Sequence, residues 1–290
     1  MKRERTKAII ALVIAAVLWS TGGMLIKLID WNPVAIAGTR SGISAILMFF
    51  YILLFRKDIK PRRILTKGKF KWAGAIVYAL TVIGFVVANK LTAAANVIFL
   101  QYTAPIWVAL LSGWLLKERV SKFDWTIIMI VIAGMGLFFV GDIQKGHMLG
   151  NFLSVLTGLF LAGVVLMLKM QKNSTAIEMT FLGNLLTFVV SLPFIIGPIP
   201  DLQSIVGLIL LGVFQLGIAY ILFSEAVLHV TALEAILIPV IEPLLSPIWV
   251  FLMIGEKPSF FAIIGGLIVL AAVVFRSVVT GRRNKIKKLA

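Results

Sequence analysis

Long apolar runs separated by short polar breaks are the feature of this sequence that most constrains its fold. Of the 290 residues, 60% are hydrophobic and 14% are charged, against about half and a quarter in a soluble domain. Each run is close to the roughly 20 residues that cross a hydrocarbon core of about 30 Å. The pattern predicts an all-α membrane protein with ten transmembrane helices, at approximately 8–28, 34–55, 72–89, 96–116, 125–141, 151–168, 179–198, 205–224, 234–254 and 260–279.

The basic residues report the orientation of the chain. A net charge of +16 in a soluble protein would suggest a nucleic-acid partner, but 23 of the 28 Lys and Arg residues fall in the two tails and in alternate breaks between helices. Cytoplasmic segments of membrane proteins carry this excess of positive charge. We therefore predict a multi-pass protein of the plasma membrane with both termini cytoplasmic, in contact with the lipid bilayer and with no nucleic-acid partner.

The chain repeats itself at an offset of 138 residues. Because matches between apolar residues arise easily in such a sequence, only the polar and proline coincidences are informative. They are Pro105 with Pro243, Glu118 with Glu256, Ser121 with Ser259 and Phe123 with Phe261. Since the offset covers five helices, an odd number, the second copy enters the membrane from the other side. The sequence thus predicts two inverted five-helix repeats, 8–141 and 151–279, and a basic cytoplasmic tail, 280–290. Inverted repeats around a central cavity are characteristic of secondary transporters.

Several stretches resemble the drug/metabolite transporter superfamily, in particular its ten-helix EamA branch. The first helix contains Trp19-Ser-Thr-Gly-Gly-Met-Leu-Ile-Lys27, and the second carries Pro33 and Arg40. The fourth reads Tyr102-Thr-Ala-Pro105-Ile-Trp through to Lys117-Glu118, and the ninth repeats the pattern from Glu242-Pro243 to Gly255-Glu256. The chain departs from the family pattern at Ser41, where Phe is commoner, and at Lys117, where Gly is usual. The resemblance implies efflux or exchange of amino acids, metabolites or amphiphilic drugs and does not fix the substrate.

Glu242 is the most informative polar residue, because it lies near the middle of the ninth predicted helix. A carboxyl group there is costly unless it faces a cavity or a partner. Two interpretations remain open. Glu242 is either functional, as a protonatable coupling site or a contact for a substrate cation, or it is a protonated or hydrogen-bonded strut for backbone freed by Pro243.

Polar and aromatic side chains inside other spans are candidates for the cavity wall. Arg40 lies about 9 Å from the end of its helix, where it either meets a substrate carboxylate or anchors the helix through a carbonyl or an ion pair. Amides without partners are unfavourable in lipid, so Gln101, Asn184 and Gln215 are expected to face the bundle interior. The full predicted substrate-binding set is Trp19, Arg40, Tyr78, Gln101, Tyr102, Trp107, Asn184, Gln215, Tyr220 and Glu242.

Glu118 and Glu256 end the fourth and ninth helices on opposite sides of the membrane. Each has a cation beside it, Arg119 and Lys257 respectively, as solvated helix ends often do. We expect them to be gate or helix-end residues rather than substrate ligands.

The sequence as a whole favours a secondary transporter that works by alternating access on a small-molecule substrate. A passive uniporter or channel on the same scaffold is an alternative, and so is an intramembrane lipid-modifying enzyme. The enzyme would need clustered nucleophiles, acids and histidines, which the sequence does not offer, so no catalytic residue is expected. With no Cys and two His residues, no metal site or cofactor is expected either. A homodimer remains open, because Gly134-Met-Gly136 and Gly265-Gly266 allow close helix approach.

Overall fold

The computed structural model describes residues 2–57, 59, 65, 68–92, 94–118, 120–138, 148–171, 175–197, 199–254 and 260–286, and every regular element in these ranges is helical. A π-helical segment covers Leu211–Ile218, and 3₁₀ turns cover Val227–His229 and Ile238–Val240. The α-helices in chain order are α1 Lys2–Trp19, α2 Gly22–Leu28, α3 Pro33–Phe55, α4 Lys69–Leu91, α5 Ala94–Gln101, α6 Ala104–Leu115, α7 Lys122–Phe138, α8 Met148–Met170, α9 Thr175–Ile195, α10 Leu202–Leu210, α11 Ala219–Ala226, α12 Ala232–Leu237, α13 Ile241–Ile254 and α14 Phe260–Ile286.

Six stretches in the described part of the chain are long and apolar enough to cross a membrane. They are Arg3–Leu28, Pro33–Phe55, Lys69–Leu91, Met148–Met170, Ala176–Ile195 and Leu202–His229. They correspond to the first, second, third, sixth, seventh and eighth predicted spans. The all-helical prediction is confirmed, and these six stretches have the length and composition of membrane spans. The total of ten remains a prediction.

Two of the predicted spans are broken at equivalent places. The span 96–116 divides at Tyr102 and Thr103 into α5 and α6, and the span 234–254 divides at the 3₁₀ turn Ile238–Val240 into α12 and α13. Prolines account for both breaks, since Pro105 and Pro239 have no N–H to donate to the preceding turn. The helices before the breaks begin at Ala94 and Ala232, which the 138-residue offset superimposes.

The first predicted span also contains a break, between α1 and α2, although it has no proline. The Ser20 hydroxyl donates to the carbonyl of Val17 at 2.6 Å, and the Thr21 hydroxyl donates to the carbonyl of Leu18 at 2.8 Å. Such local bonds compete with the helical ladder. The break falls directly after Trp19, in the middle of the span.

Side-chain caps begin several helices where the sequence changes from polar to apolar. The Asn32 side chain accepts from the backbone N–H of Val34 and precedes Pro33, a favoured residue in a first helical turn. Asp201 accepts from the N–H of Ser204 at 3.2 Å and so caps α10. Hydrogen bonding from Ser204 holds the pKa of the Asp201 carboxyl below its ordinary value.

Small residues bring neighbouring helices close together. A Cβ atom added at Gly38 of α3 would lie 2.2 Å from the Cβ of Ser191 in α9. A Cβ atom at Gly134 of α7 would lie 2.8 Å from Val269 and 3.1 Å from the carbonyl oxygen of Gly265, both in α14. Of the glycines considered for a dimer face, Gly134 and Gly265 therefore pack two helices of one chain together, whereas a Cβ atom added at Gly136 would have no atom within 4 Å.

Candidate functional site

A cavity of about 50 Å³ lies between helices of both halves of the chain. The half before residue 141 contributes Trp19, Arg40, Thr81, Val82, Phe85, Gln101 and Tyr102, and the half after it contributes Leu161, Gln215, Leu216, Tyr220, Phe223, Ala235, Ile236, Pro239 and Glu242. The three helix breaks all border this space. Polar groups and aromatic rings thus meet in the interior of an otherwise apolar bundle.

Arg40 is the cationic group in the cavity wall, and its side chain is 1% exposed. One terminal nitrogen, Nη1, donates to Oε1 of Gln215 at 3.0 Å, and Nη2 donates to the carbonyl of Val82 at 3.4 Å. Its Nε has no hydrogen-bond partner in the described part of the chain, and no carboxylate there forms an ion pair with it. A buried charge without a counter-ion is unfavourable by several kcal/mol, so an anionic group entering the cavity would be stabilised at Arg40.

Gln215 holds Arg40 from a helix of unusual geometry. It lies in the π-helical segment Leu211–Ile218, and such segments occur frequently at functional sites. Gly22, at the start of α2, leaves room for it, because a Cβ atom there would lie 2.8 Å from Gln215 Nε2. The α1–α2 break, the π segment and Arg40 therefore form one local unit.

Glu242 approaches Tyr102 across the two broken helices. The Tyr102 hydroxyl lies 2.6 Å from the carbonyl oxygen of Pro239 and 3.0 Å from Oε2 of Glu242. The hydroxyl has one proton, and the Pro239 carbonyl can only accept it. When Tyr102 donates to Pro239, its contact with Glu242 is a hydrogen bond only if the Glu242 carboxyl carries a proton and donates it. The geometry therefore links the protonation of Glu242 to the backbone at the break.

An aromatic cluster forms the remaining wall. The ring of Trp19 lies 5.0 Å from that of Tyr220 and 5.1 Å from that of Phe223, measured between centroids. Tyr78 packs edge-on against Tyr220 at 4.7 Å and accepts a hydrogen bond from Asn184 Nδ2 at 2.9 Å. Tyr78 and Asn184 thus lie behind the wall and position Tyr220.

The structure gathers seven of the ten predicted substrate-binding residues around the cavity: Trp19, Arg40, Gln101, Tyr102, Gln215, Tyr220 and Glu242. Tyr78 and Asn184 are in the second layer, and Trp107 packs against the apolar core instead of lining the cavity. Sequence reasoning did not find Thr81, Val82, Phe85, Leu161, Leu216, Phe223, Ala235, Ile236 and Pro239. Apart from Thr81, whose hydroxyl donates to the carbonyl of Val77 in its own helix, these side chains are apolar and carry no signal that separates them from lipid-facing or core residues.

Glu118 contacts the beginning of α12. Its Oε2 accepts from the backbone N–H of Ala232 at 3.0 Å, and its Oε1 lies 3.9 Å from Nζ of Lys169. Lys169 in turn donates to the carbonyl of Val230 at 2.5 Å. We call these contacts of Glu118 and Lys169 with residues 230–232 the α12 clamp. The related residue, Glu256, lies outside the described residues.

A second ion pair reinforces the same end of the bundle. Arg5, near the start of α1, lies 2.6 Å from the carboxylate of Glu234. Glu234 also forms a capping box with Thr231 at the beginning of α12. The N-terminal segment and the ends of α6, α8 and α11 are therefore all on one face, as expected for four segments predicted on one side of the membrane.

Lysines make comparable contacts at the opposite end. Lys27 donates to the carbonyl of Thr92 at 2.8 Å, and Lys90 donates to the carbonyl of Ile29 at 2.5 Å. The 138-residue offset relates Thr92 to Val230, the acceptor for Lys169. Both ends of the bundle thus use a lysine to hold the segment that precedes a broken helix.

The sequence profile described as the EamA-like transporter family matches this chain twice, over residues 6–140 and 148–278. This chain belongs to the EamA-like transporter family. An uncharacterized transporter of Archaeoglobus fulgidus is 27% identical over 268 residues, which cover 91% of this chain and 93% of the relative. The uncharacterized transporter YdfC of Bacillus subtilis is 24% identical over 301 residues, which cover 99% of this chain and 96% of the relative.

A solved crystal structure has the same fold as this EamA-family chain. It superimposes with a TM-score of 0.79 at 15% sequence identity and covers 95% of this chain and 98% of its own. The names of the family and of the relatives indicate a membrane transporter. Among the described residues, no group of three or more His, Asp or Glu side chains could hold a metal ion.

Proposed function

We propose that this EamA-family protein is a secondary transporter that moves small organic solutes across the plasma membrane by alternating access. The observation that carries the proposal is Arg40, a buried cation in the cavity wall whose described partners are the neutral groups of Gln215 and Val82. A guanidinium in that setting favours a substrate carboxylate or another anionic group. Amino acids and related metabolites fit this requirement, and the nearby rings of Trp19 and Tyr220 suit an apolar or aromatic substituent.

The size of the cavity supports a mechanism with moving helices. Its volume is about 50 Å³, whereas pockets for drug-sized ligands measure roughly 300–1,000 Å³. A substrate therefore needs the cavity walls to separate. The breaks at Ser20–Thr21, Tyr102–Thr103 and Ile238–Val240 are places where helix halves can change angle without breaking a continuous hydrogen-bond ladder.

The duplication supports alternating access between two inverted five-helix halves. Both copies matched by the family profile contribute to the cavity, and both contain a helix broken at a related position. In an inverted repeat, exchange of the two conformations of the halves opens the same cavity to the other side of the membrane. The distribution of basic residues supports cytoplasmic termini, and the family resemblance favours efflux as the direction.

Glu242 is the group that we assign to proton coupling. With its proton, it donates to the Tyr102 oxygen while Tyr102 donates to Pro239. Without its proton, the Glu242 carboxylate accepts the hydrogen bond from the Tyr102 hydroxyl, and the Pro239 carbonyl loses that donor. The charge of one carboxyl group thereby alters the contact that joins the two broken helices.

Transport by purified protein in liposomes tests the proposal. Vesicles are loaded with a mixture of amino acids and small carboxylates, and released solutes are measured by mass spectrometry with and without an imposed pH gradient. We expect gradient-dependent release by the unaltered chain and loss of release in Arg40→Gln. In Glu242→Gln, we expect exchange down a solute gradient to persist while the response to pH disappears.

The outcomes separate the alternatives. Release that ignores the pH gradient in both the unaltered chain and Glu242→Gln would indicate a uniporter or channel and would remove Glu242 as coupling site. No release of any solute, together with chemically altered lipid in the vesicles, would favour an intramembrane enzyme. Undiminished release by Arg40→Gln would contradict the role of Arg40.

A further inference from the structure

A second cavity, of about 260 Å³, lies between α3, the end of α9 and α10, at the end of the bundle where α2 ends. We call it the lateral pocket. Apart from Trp31, Thr39, Gly197 and Pro200, its wall consists of the aliphatic side chains of Ile43, Ile195, Ile199, Ile205, Leu208 and Ile209. The central cavity is separate, and no residue lines both.

The residues that line the lateral pocket extend along α3 for about the thickness of one leaflet of a bilayer. Trp31 lies before the start of α3, and Trp side chains favour the membrane–water interface. Ile43 lies ten residues beyond Pro33, the first residue of α3, which corresponds to roughly 15 Å of helix. Because the hydrocarbon core is about 30 Å thick, the pocket extends from the interface to about the midplane.

The wall of the lateral pocket offers too few polar groups to bind water. A buried water needs two to four polar partners, and a purely apolar cavity of roughly 150 Å³ stays dry and takes up an apolar molecule. The Thr39 hydroxyl is buried and has no hydrogen-bond partner among the described residues. One hydroxyl does not hydrate an apolar pocket of this size. The wall chemistry therefore favours hydrocarbon.

The rim of the lateral pocket is open to the surrounding lipid. Ile199, which lines the pocket, is 85% exposed, and its neighbours Ile196 and Leu202 are 83% and 77% exposed. Such exposed aliphatic side chains at the end of a membrane helix contact lipid. A hydrocarbon chain in the adjoining leaflet reaches the pocket without crossing a polar barrier.

We propose that the lateral pocket binds one acyl chain of a phospholipid from the leaflet at this end of the bundle. The chain lies along α3 and α10, with its terminal methyl group towards Ile43. α3 carries Arg40, and α10 continues into the π segment that carries Gln215, so the bound lipid fills the space between two helices that meet again at the central cavity. The proposal does not depend on the transported solute.

Photolabelling of the full-length protein tests this site. The protein is placed in vesicles of phosphatidylcholine that contains a diazirine midway along one acyl chain, and adducts are mapped by mass spectrometry after irradiation. We expect adducts on residues 195–209 at several times the yield found around Trp114, which is 80% exposed and reports ordinary annular lipid. Native mass spectrometry after detergent exchange is expected to retain one phospholipid per chain.

A matched pair of variants distinguishes the pocket from the lipid annulus. The double variant Ile205→Phe with Ile209→Phe fills the pocket from α10. The control, Val206→Phe with Leu210→Phe, adds the same volume at positions that are 49% and 38% exposed and do not line it. We expect the first pair to lose most of the adducts and the retained phospholipid, and the control pair to keep both. Equal labelling in the two pairs, or labelling no stronger than at Trp114, would overturn the proposal.

Discussion

Replacement of Glu118 by Ala tests whether the α12 clamp holds one face of the cavity closed. The change removes the acceptor for the Ala232 N–H at 3.0 Å and the carboxylate 3.9 Å from Lys169. Loss of an acceptor at a helix start costs about 0.5–2 kcal/mol. The ion pair adds little, roughly 0–1 kcal/mol, because the Glu118 side chain is 30% exposed.

The size of the expected effect follows from these two contributions. A loss of about 1.4 kcal/mol from the closed state corresponds to a tenfold change in an equilibrium constant. If α12 separates from Glu118 when the cavity opens on this face, the open population therefore rises about tenfold in Glu118→Ala. Glu118→Gln retains an acceptor oxygen and is expected to give a smaller increase.

The chain contains no cysteine, which permits a direct measurement of opening. A single Cys in place of Ile236, a cavity residue that is 3% exposed, is alkylated by a membrane-impermeant maleimide applied to the face that carries Arg5. We expect about tenfold faster alkylation with Glu118→Ala than without it. Glu4→Ala is the control, because Glu4 is on the same face but, among the described residues, its carboxylate bonds only to Lys7. An unchanged or slower rate in Glu118→Ala would refute the clamp.

Two further substitutions, Gly38→Ala with Gly136→Ala as its control and Arg40→Lys, test the packing and the cavity. Gly38→Ala places a Cβ atom 2.2 Å from Ser191 and is expected to destabilise the protein by about 1–3 kcal/mol, measured as a lower melting temperature in detergent. Gly136→Ala, with nothing within 4 Å of the added atom, is expected to leave that temperature unchanged. Arg40→Lys is expected to raise the KM for the solute found in the liposome screen at least about tenfold with a smaller change in kcat, since a charge-assisted hydrogen bond contributes about 1.5–3 kcal/mol. An unchanged KM would contradict direct substrate binding by Arg40.

The polar residues of the cavity can be predicted from the sequence because each interrupts an apolar run. Gln101, Gln215 and Glu242 are 6%, 5% and 7% exposed, as expected of side chains that are unfavourable in lipid. The sequence does not show which apolar residues line the cavity and which are exposed. Phe223 lines the cavity at 1% exposure while Phe50 is 56% exposed, yet both lie in apolar runs long enough to cross a membrane.

The contacts between residues of different spans could not be predicted from the sequence either, for a different reason. Arg40 and Gln215 are 175 residues apart, and Tyr102 and Glu242 are 140 apart. Hydropathy assigns residues to spans but does not specify which spans are neighbours or how each is rotated. The carbonyl of Val82, which accepts from Arg40, has no side-chain signal at all. The break at Ser20 is not predictable from the sequence. A serine whose hydroxyl donates to a carbonyl of its own helix cannot be distinguished there from any other small residue in a span.

The repeat relates the starts of the two broken helices but not their polar side chains. At the 138-residue offset, Ala94 matches Ala232 as a helix start, yet Tyr102 corresponds to Val240 and Glu242 to Ala104. The hydroxyl that joins the breaks comes from the first copy, and the carboxyl and the freed carbonyl come from the second. Duplication accounts for two matching helix breaks, whereas the chemistry between them arises from substitutions that differ between the copies. Tyr102, in the first copy, and Glu242, in the second, have no counterparts in the other copy. In the two conformations of an inverted repeat, this pair would therefore have different surroundings. A proton on Glu242 would then favour one conformation over the other.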